Sequence, residues 1–164
     1  MSMVTTLGLN KRQRGAAAVE FAILLALVLV PLTLGVAEMG RAAYYYNTMS
    51  KGVRDAARFM ILQTPGTRGL EAKCLAITGS SANGGGGCTQ PVLVPGLVPG
   101  EVTVCDRVLC AASHNLVPVT VNGVTLGTAN LVTVTISGQV FRSLLGAALD
   151  FTFGPISATF SVKA

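Results

Sequence analysis

With 164 residues, the chain has room for one domain with a modest core, and its 12 Lys or Arg against 7 Asp or Glu give a net charge of +5. It is 51% hydrophobic and only 12% charged, a balance that excludes intrinsic disorder. The positive excess does not point to nucleic acid: Lys11, Arg12 and Arg14 all precede one long apolar run, and the remaining basic residues form no dense patch and no aromatic–basic interleaving.

Residues 1–15 are polar, basic and without apolar periodicity, which is the pattern of a leader. From Ala16 to Ala37 there follow 22 residues with a single ionisable side chain, Glu20, and one proline, Pro31. As a helix this run is about 33 Å long, enough to cross a hydrocarbon core of about 30 Å. Basic residues stand just before it and no acid precedes Glu20, so the N-terminus is expected to stay cytoplasmic and everything after the helix to be exported. The helix is predicted to continue to about Leu62, losing one hydrogen bond and kinking at Pro31.

Residues 38–62 form its amphipathic half. Met39, Ala42, Tyr46, Met49, Val53, Ala56 and Met60 recur every three or four residues, the period of one buried stripe. Glu38 and Arg41, Lys51 and Asp55, and Asp55 and Arg58 have the spacing of ion pairs on a solvated face. Tyr44, Tyr45 and Tyr46 fall just past the apolar run, where an aromatic belt at the membrane surface is expected. Pro65-Gly66 stops the helix.

Residues 63–164 are expected to be an exported, β-rich head. Within it, 78–100 is a Gly/Ser/Pro-rich loop; its four glycines, Gly84 to Gly87, are followed by no Gly-Lys-Ser/Thr and so make no phosphate cradle. Apolar residues then alternate with Thr and Ser at 102–104, 117–121, 132–136 and 156–162, and Asn122-Gly123 is a hairpin signal before Val124. These are predicted as half-buried antiparallel strands, apolar side inward, in a sheet of four or five strands covered by the striped helix; Pro118 marks an edge strand. The fold class is α+β.

Cys74, Cys88, Cys105 and Cys110 all lie on the exported side, where an even count favours two disulfides with three possible connectivities. Closure entropy favours the short loops Cys74–Cys88 and Cys105–Cys110. Cys74 with Cys105 or Cys110 is the alternative. No C-x2-C pair is present and His114 is the only histidine, so no metal site and no cofactor is expected. Ser113-His114 lacks the context of a nucleophile, and Asp106-Arg107 reads as a solvated turn. No enzyme activity is expected.

The most informative constellation is Lys11-Arg12-Gln13-Arg14-Gly15-Ala16-Ala17-Ala18-Val19-Glu20-Phe21 at the head of the apolar run. It sets a basic stop, a glycine without a side chain at the membrane surface, and a carboxylate where a spanning segment ordinarily has none. An ordinary secretory signal cut before Glu38 competes poorly, because Glu20 interrupts its apolar stretch and the helical stripe runs straight through the cut.

This stretch resembles the type IV prepilins, and specifically the TadE-like pseudopilins of tight-adherence (Tad) pili, in which cleavage follows Gly in a Gly-x-x-x-x-Glu-Phe context. Ala37-Glu38-Met39-Gly40-Arg41 and Arg54-Asp55-Ala56-Ala57-Arg58 are similar to further segments of that family, as is Val140 to Gly146. Residues 11–62 carry the resemblance, and 63–110 carry none. It implies cleavage by a prepilin peptidase between Gly15 and Ala16. Glu20 and Phe21 would then serve assembly, with the Glu20 carboxylate meeting the terminal amine of a neighbouring subunit. The implied function is that of a minor pilin, a structural subunit in pilus assembly or initiation. The chain would reside first in the bacterial inner membrane and then in the pilus at the cell surface. The implied partners are the peptidase, other pilins, the inner-membrane assembly platform and membrane lipid, with no nucleic acid. A membrane-anchored periplasmic binding or scaffold protein that never enters a filament is the alternative.

Overall fold

A single helix, α1, runs from Lys11 to Ile61 in the computed structural model, which describes residues 11–163. The first ten residues of the expected leader lie outside the described residues. The helix starts five residues before Ala16, so the junction between Gly15 and Ala16 is not a break in it. Lys, Arg and Gln are good helix formers, and one isolated glycine costs only about 1 kcal/mol. Helical structure also continues through Pro31.

The chain divides into two units, the first ending at Gly40 and the second beginning at Arg41. In the first, every residue from Gly15 to Leu34 is exposed. An 18-residue stretch of α1 is apolar enough to cross a membrane, and none of it is buried. An all-round apolar helix needs either a protein core or lipid around it, and here the length and composition suit a membrane.

The second unit is an α+β head. Its core joins Met49, Val53, Ala56, Ala57 and Met60 of α1 to Val102 and Val104, Val132, Val134 and Ile136, and Ile156 on the sheet. Of the residues expected in the stripe, Ala42, Met49, Val53, Ala56 and Met60 are all buried. Met39 and Tyr46 are exposed, and Tyr45 packs inward in place of Tyr46. The cause lies across the gap: Phe141 meets the Tyr45 ring at 5.8 Å. The expected ion pairs of Asp55 with Lys51 and Arg58 are not formed among the described residues, and Arg58 lies over the Phe160 ring at 5.7 Å.

A second helix, α2 (Gly69–Thr78), follows the Pro65-Gly66 turn, in a stretch where the sequence predicts none. It contributes Ala72, Ala76 and Ile77 to the core and ends at Gly79, whose φ of 75° is the left-handed geometry of a helix stop. The glycine-rich stretch is more ordered than a flexible loop. Asn83–Gly84 (β1) pairs with Gly87–Cys88 (β2) around Gly85 and Gly86, which both have positive φ, as a tight hairpin turn requires. Downstream, Val94 and Leu97 are buried in the main core, so part of this surface loop is interior.

The main sheet is antiparallel and centred on β5 (Val124–Ile136), a 13-residue strand that merges two expected strands into one. β3 (Val102–Cys105) pairs with its last residues, Thr133 to Ile136, and β4 (Val117–Val121) with its first, Val124 to Ala129. β8 (Ile156–Lys163) pairs with Ala129 to Ile136. The expected burial of Val117, Val119 and Val121 is overturned: all of β4 is exposed, as are Val124 and Leu126. Pairing with β8 ends at Ala129, which leaves this end of the sheet a two-stranded ribbon outside the hydrophobic core. A smaller hairpin, β6 (Val140–Phe141) with β7 (Phe151–Thr152), lies between β5 and β8 in sequence.

Both disulfides of the short-loop pairing are present, Cys74–Cys88 and Cys105–Cys110. The first ties α2 to the β1–β2 hairpin, and the second closes the turn after β3.

Candidate functional site

Gly15, Ala16, Glu20 and Phe21 all lie on α1 within the first unit, and all are exposed, Phe21 at 66%. Ala16 and Glu20 are one helical turn apart, about 6 Å along the axis. The glycine carries a second message. A Cβ built on Gly15 would meet nothing within 4 Å, so the fold itself places no demand for glycine there. Glycine costs a helix about 1 kcal/mol relative to alanine. The folded chain would therefore accept alanine at this position.

In the second unit, the first helical turns after Gly40 form a polar–aromatic cluster that the sequence did not reveal. The Arg41 guanidinium donates through Nη2 to the backbone carbonyl of Arg142 and lies 4.5 Å over the Phe141 ring. Phe141 stacks on Phe151 at 5.1 Å, and Phe151 meets Phe153 edge-on at 5.1 Å. Beside them is an open cleft of about 370 Å³ lined by Arg41, Tyr45, Glu101, Gln139 and Arg142 among others. Gln139 is buried, and its Nε2 donates to the carbonyls of Pro95 and Val140, both at 3.2 Å. Of the three tyrosines, Tyr44 and Tyr46 are exposed as an interfacial belt requires, and Tyr45 belongs to the core.

Asp106 corrects the expectation of a solvated turn. It is 1% exposed, and its carboxylate accepts backbone N–H bonds from Gly66 at 2.7 Å and from Val108 and Leu109 at 2.8 Å. One residue thus closes the Cys105–Cys110 turn and ties it to the turn that ends α1. Burial by itself would raise its pKa, but those three hydrogen bonds and the nearby Arg107 charge outweigh burial and hold the carboxyl below the usual carboxylate range. Asp immediately after Cys105 was a local signal for this, since Asp accepts from the backbone two and three residues on. A depressed folded pKa means stability that is fully present above the unfolded value of about 3.9 and is lost as pH falls through the folded value. Asp106→Asn should lose about 1–3 kcal/mol at neutral pH, because an amide turns a donor toward one of three donors. Denaturation of the full-length protein in detergent at pH 7 and pH 3 checks this. The loss should shrink at the lower pH, and an equal loss at both would remove the charge from the explanation.

Ser113 and His114 are joined at 2.9 Å, and the far nitrogen of His114 meets Thr133 Oγ1 at 2.8 Å. Thr133 in turn meets Thr159 Oγ1 at 2.8 Å. Among the described residues no carboxylate orients this imidazole, and the chain of contacts fastens the loop after Cys110 to β5 and β8. His114 is half-buried by this role rather than lying free on the surface.

Residues 15–58 match the family model described as TadE-like protein. No curated protein and no solved structure gives a match. The matched span opens on Gly15, takes in Glu20 and Phe21, and closes on Arg58 at the end of the striped half of α1. By this helix, from Gly15 to its core-facing stripe, residues 15–58 are similar to the TadE-like proteins.

Proposed function

We propose that this chain is a minor pilin of a Tad pilus, a structural subunit that acts in pilus assembly or initiation. Residues 16–37 hold it in the inner membrane with the N-terminus cytoplasmic and the head exported. A prepilin peptidase removes residues 1–15, and the assembly platform then passes the subunit into a filament with other pilins. The observation that carries this reading is the exposed apolar half of α1, headed by a glycine that the fold does not need, within a TadE-like segment. Such a surface is satisfied first by lipid and afterwards by the helices of neighbouring subunits. Glu20 is the group suited to set register between those helices, and Phe21 adds apolar area beside it.

Intact mass and N-terminal analysis of protein from its native membrane tests the reading. A mature N-terminus at Ala16 is expected, and Gly15→Leu should retain the leader because a bulky side chain fills the scissile position. Since a Cβ at Gly15 meets nothing in the fold, that variant should remain as stable as the parent. An uncut chain in cells with a working peptidase would leave an anchored scaffold protein instead.

A further inference from the structure

Between β6 and β7 the chain runs through Leu144, Leu145, Gly146, Ala147, Ala148 and Leu149, six consecutive residues that are uncharged and all exposed. Leu144 is 81% exposed and Leu149 55%, and Phe151 beside them is 43% exposed. Exposed apolar stretches of this kind mark an interaction surface. The position of this one says what it meets. Its base is fixed to α1 at Arg41, through the hydrogen bond to the Arg142 carbonyl and the stacking of the guanidinium on Phe141. Arg41 is only four residues beyond Ala37, the end of the apolar run. Four residues span about 6 Å as helix and at most about 14 Å fully extended. The headgroup layer extends about 5–8 Å beyond the hydrocarbon core on each side. Chain connectivity therefore tethers Arg41, and the loop root bound to it, close to the end of the apolar run, at or just beyond the headgroup layer.

We propose that Leu144–Leu149 is a second membrane contact, a loop whose leucines enter the headgroup–acyl boundary of the exported leaflet. The proposal rests on the reading of residues 16–37 as a membrane anchor. The chemistry around the loop fits a lipid surface. Arg142 at its start is 83% exposed in its side chain, placed to meet phosphate groups, and Tyr44 and Tyr46 on α1 provide the amphipathic rings found at such boundaries. Asp150 at the other end pairs with Arg142 at 3.7 Å and accepts from the Ser143 N–H at 2.7 Å, which draws the two ends of the loop together and leaves its leucines exposed on either side of Gly146.

The chain contains no tryptophan, so a single introduced one is the sole indole reporter. Full-length protein carrying Leu144→Trp is reconstituted in phosphatidylethanolamine–phosphatidylglycerol vesicles containing lipids brominated near the headgroup. Two further variants calibrate it: Leu27→Trp within the anchor, and Leu126→Trp near the start of β5, about 33 Å along that strand from Ile136. The expected result is blue-shifted, strongly quenched emission from Leu144→Trp, quenching of Leu27→Trp by deeply brominated lipid, and solvent-like, unquenched emission from Leu126→Trp. Unquenched Leu144→Trp with quenched Leu27→Trp overturns the loop contact and leaves the anchor standing. Blue-shifted emission without lipid quenching assigns the loop to a protein neighbour and also overturns the proposal. Equal quenching at Leu126 and Leu144 means general adsorption of the head and likewise overturns it. Unquenched Leu27→Trp removes the anchor itself and the proposal with it.

Discussion

Gly52→Ala is expected to destabilise the head by about 3 kcal/mol or more. Gly52 is buried on α1 where that helix crosses α2, and a Cβ there would run into the backbone carbonyl oxygen and carbon of Ala76. The obstacle is backbone, so no rotamer change relieves it; the two helices must separate. Around the crossing lie Ala56, Ala57, Ala72 and Ala76, all at most 2% exposed, small side chains that permit the close approach. Separation would open voids against Met49, Val53 and Ile77, and close-packed interiors have little slack to absorb them. Gly35 and Gly40 on the same helix are the controls, since a Cβ at either meets nothing within 4 Å. Gly35→Ala and Gly40→Ala should be neutral or stabilising by up to about 1 kcal/mol, the helix preference for alanine. Chemical denaturation of the full-length protein in detergent, followed by near-ultraviolet circular dichroism, compares the three. If Gly52→Ala unfolds with its controls, the close crossing does not exist.

Glu20→Leu is expected to insert, to be cut after Gly15, and to be nearly absent from filaments. On the proposed processing, cleavage would expose an amine at Ala16 one turn from the carboxylate, so the mature helix would start with a cation and an anion about 6 Å apart along its axis. At the membrane surface both are hydrated and the carboxylate costs little. Enclosed among the apolar helices of the proposed filament, each would need a counter-charge, and a register that joins the carboxylate of one subunit to the amine of the next would supply both. Removing one partner of a buried pair costs about 3–5 kcal/mol. That corresponds to a loss of roughly 10²-fold or more in occupancy of the filament site. Glu20→Asp should fall between the two, since its shorter side chain reaches less far. Immunoblots of shed filaments against membrane fractions give the ratio directly. Wild-type incorporation of Glu20→Leu would reduce Glu20 to a tolerated charge at the edge of an anchor. A variant that is uncut or uninserted would show that the residue acts before assembly.

The two predictions differ in how far the residues alone could have led to them. Glu20 stands out in the sequence because one carboxylate in 22 apolar positions conflicts with its surroundings. Nothing local distinguishes Gly52 from Gly40. Each is a lone glycine in a helical pattern, and only the path of α2 makes one essential to the fold and the other replaceable.

The same division runs through the whole chain. The sequence by itself determined what depends on near neighbours. The membrane-length helix follows from 22 unbroken residues, and the inward faces of β5 and β8 from strict alternation at Val132, Val134 and Ile136 and at Ile156. The hairpin follows from Asn122-Gly123, whose φ values of 50° and 79° are those the turn demands. Closure entropy favoured the short-loop disulfides but left Cys74 with Cys105 or Cys110 open, and the fold decided between them. Tertiary structure alone decided which of these surfaces received a cover. A period of 3.6 allows Tyr45 and Tyr46 equally between Ala42 and Met49, and the position of Phe141 selects Tyr45. Alternation at Val117, Val119 and Val121 implies a buried face, yet β8 stops pairing at Ala129 and leaves that ribbon bare. Asp106 has the composition of a solvated turn until Gly66, 40 residues earlier, turns its N–H toward it. Periodicity records which side chains share a face, whereas burial depends on whether a distant segment arrives to cover that face, and no local pattern carries that information.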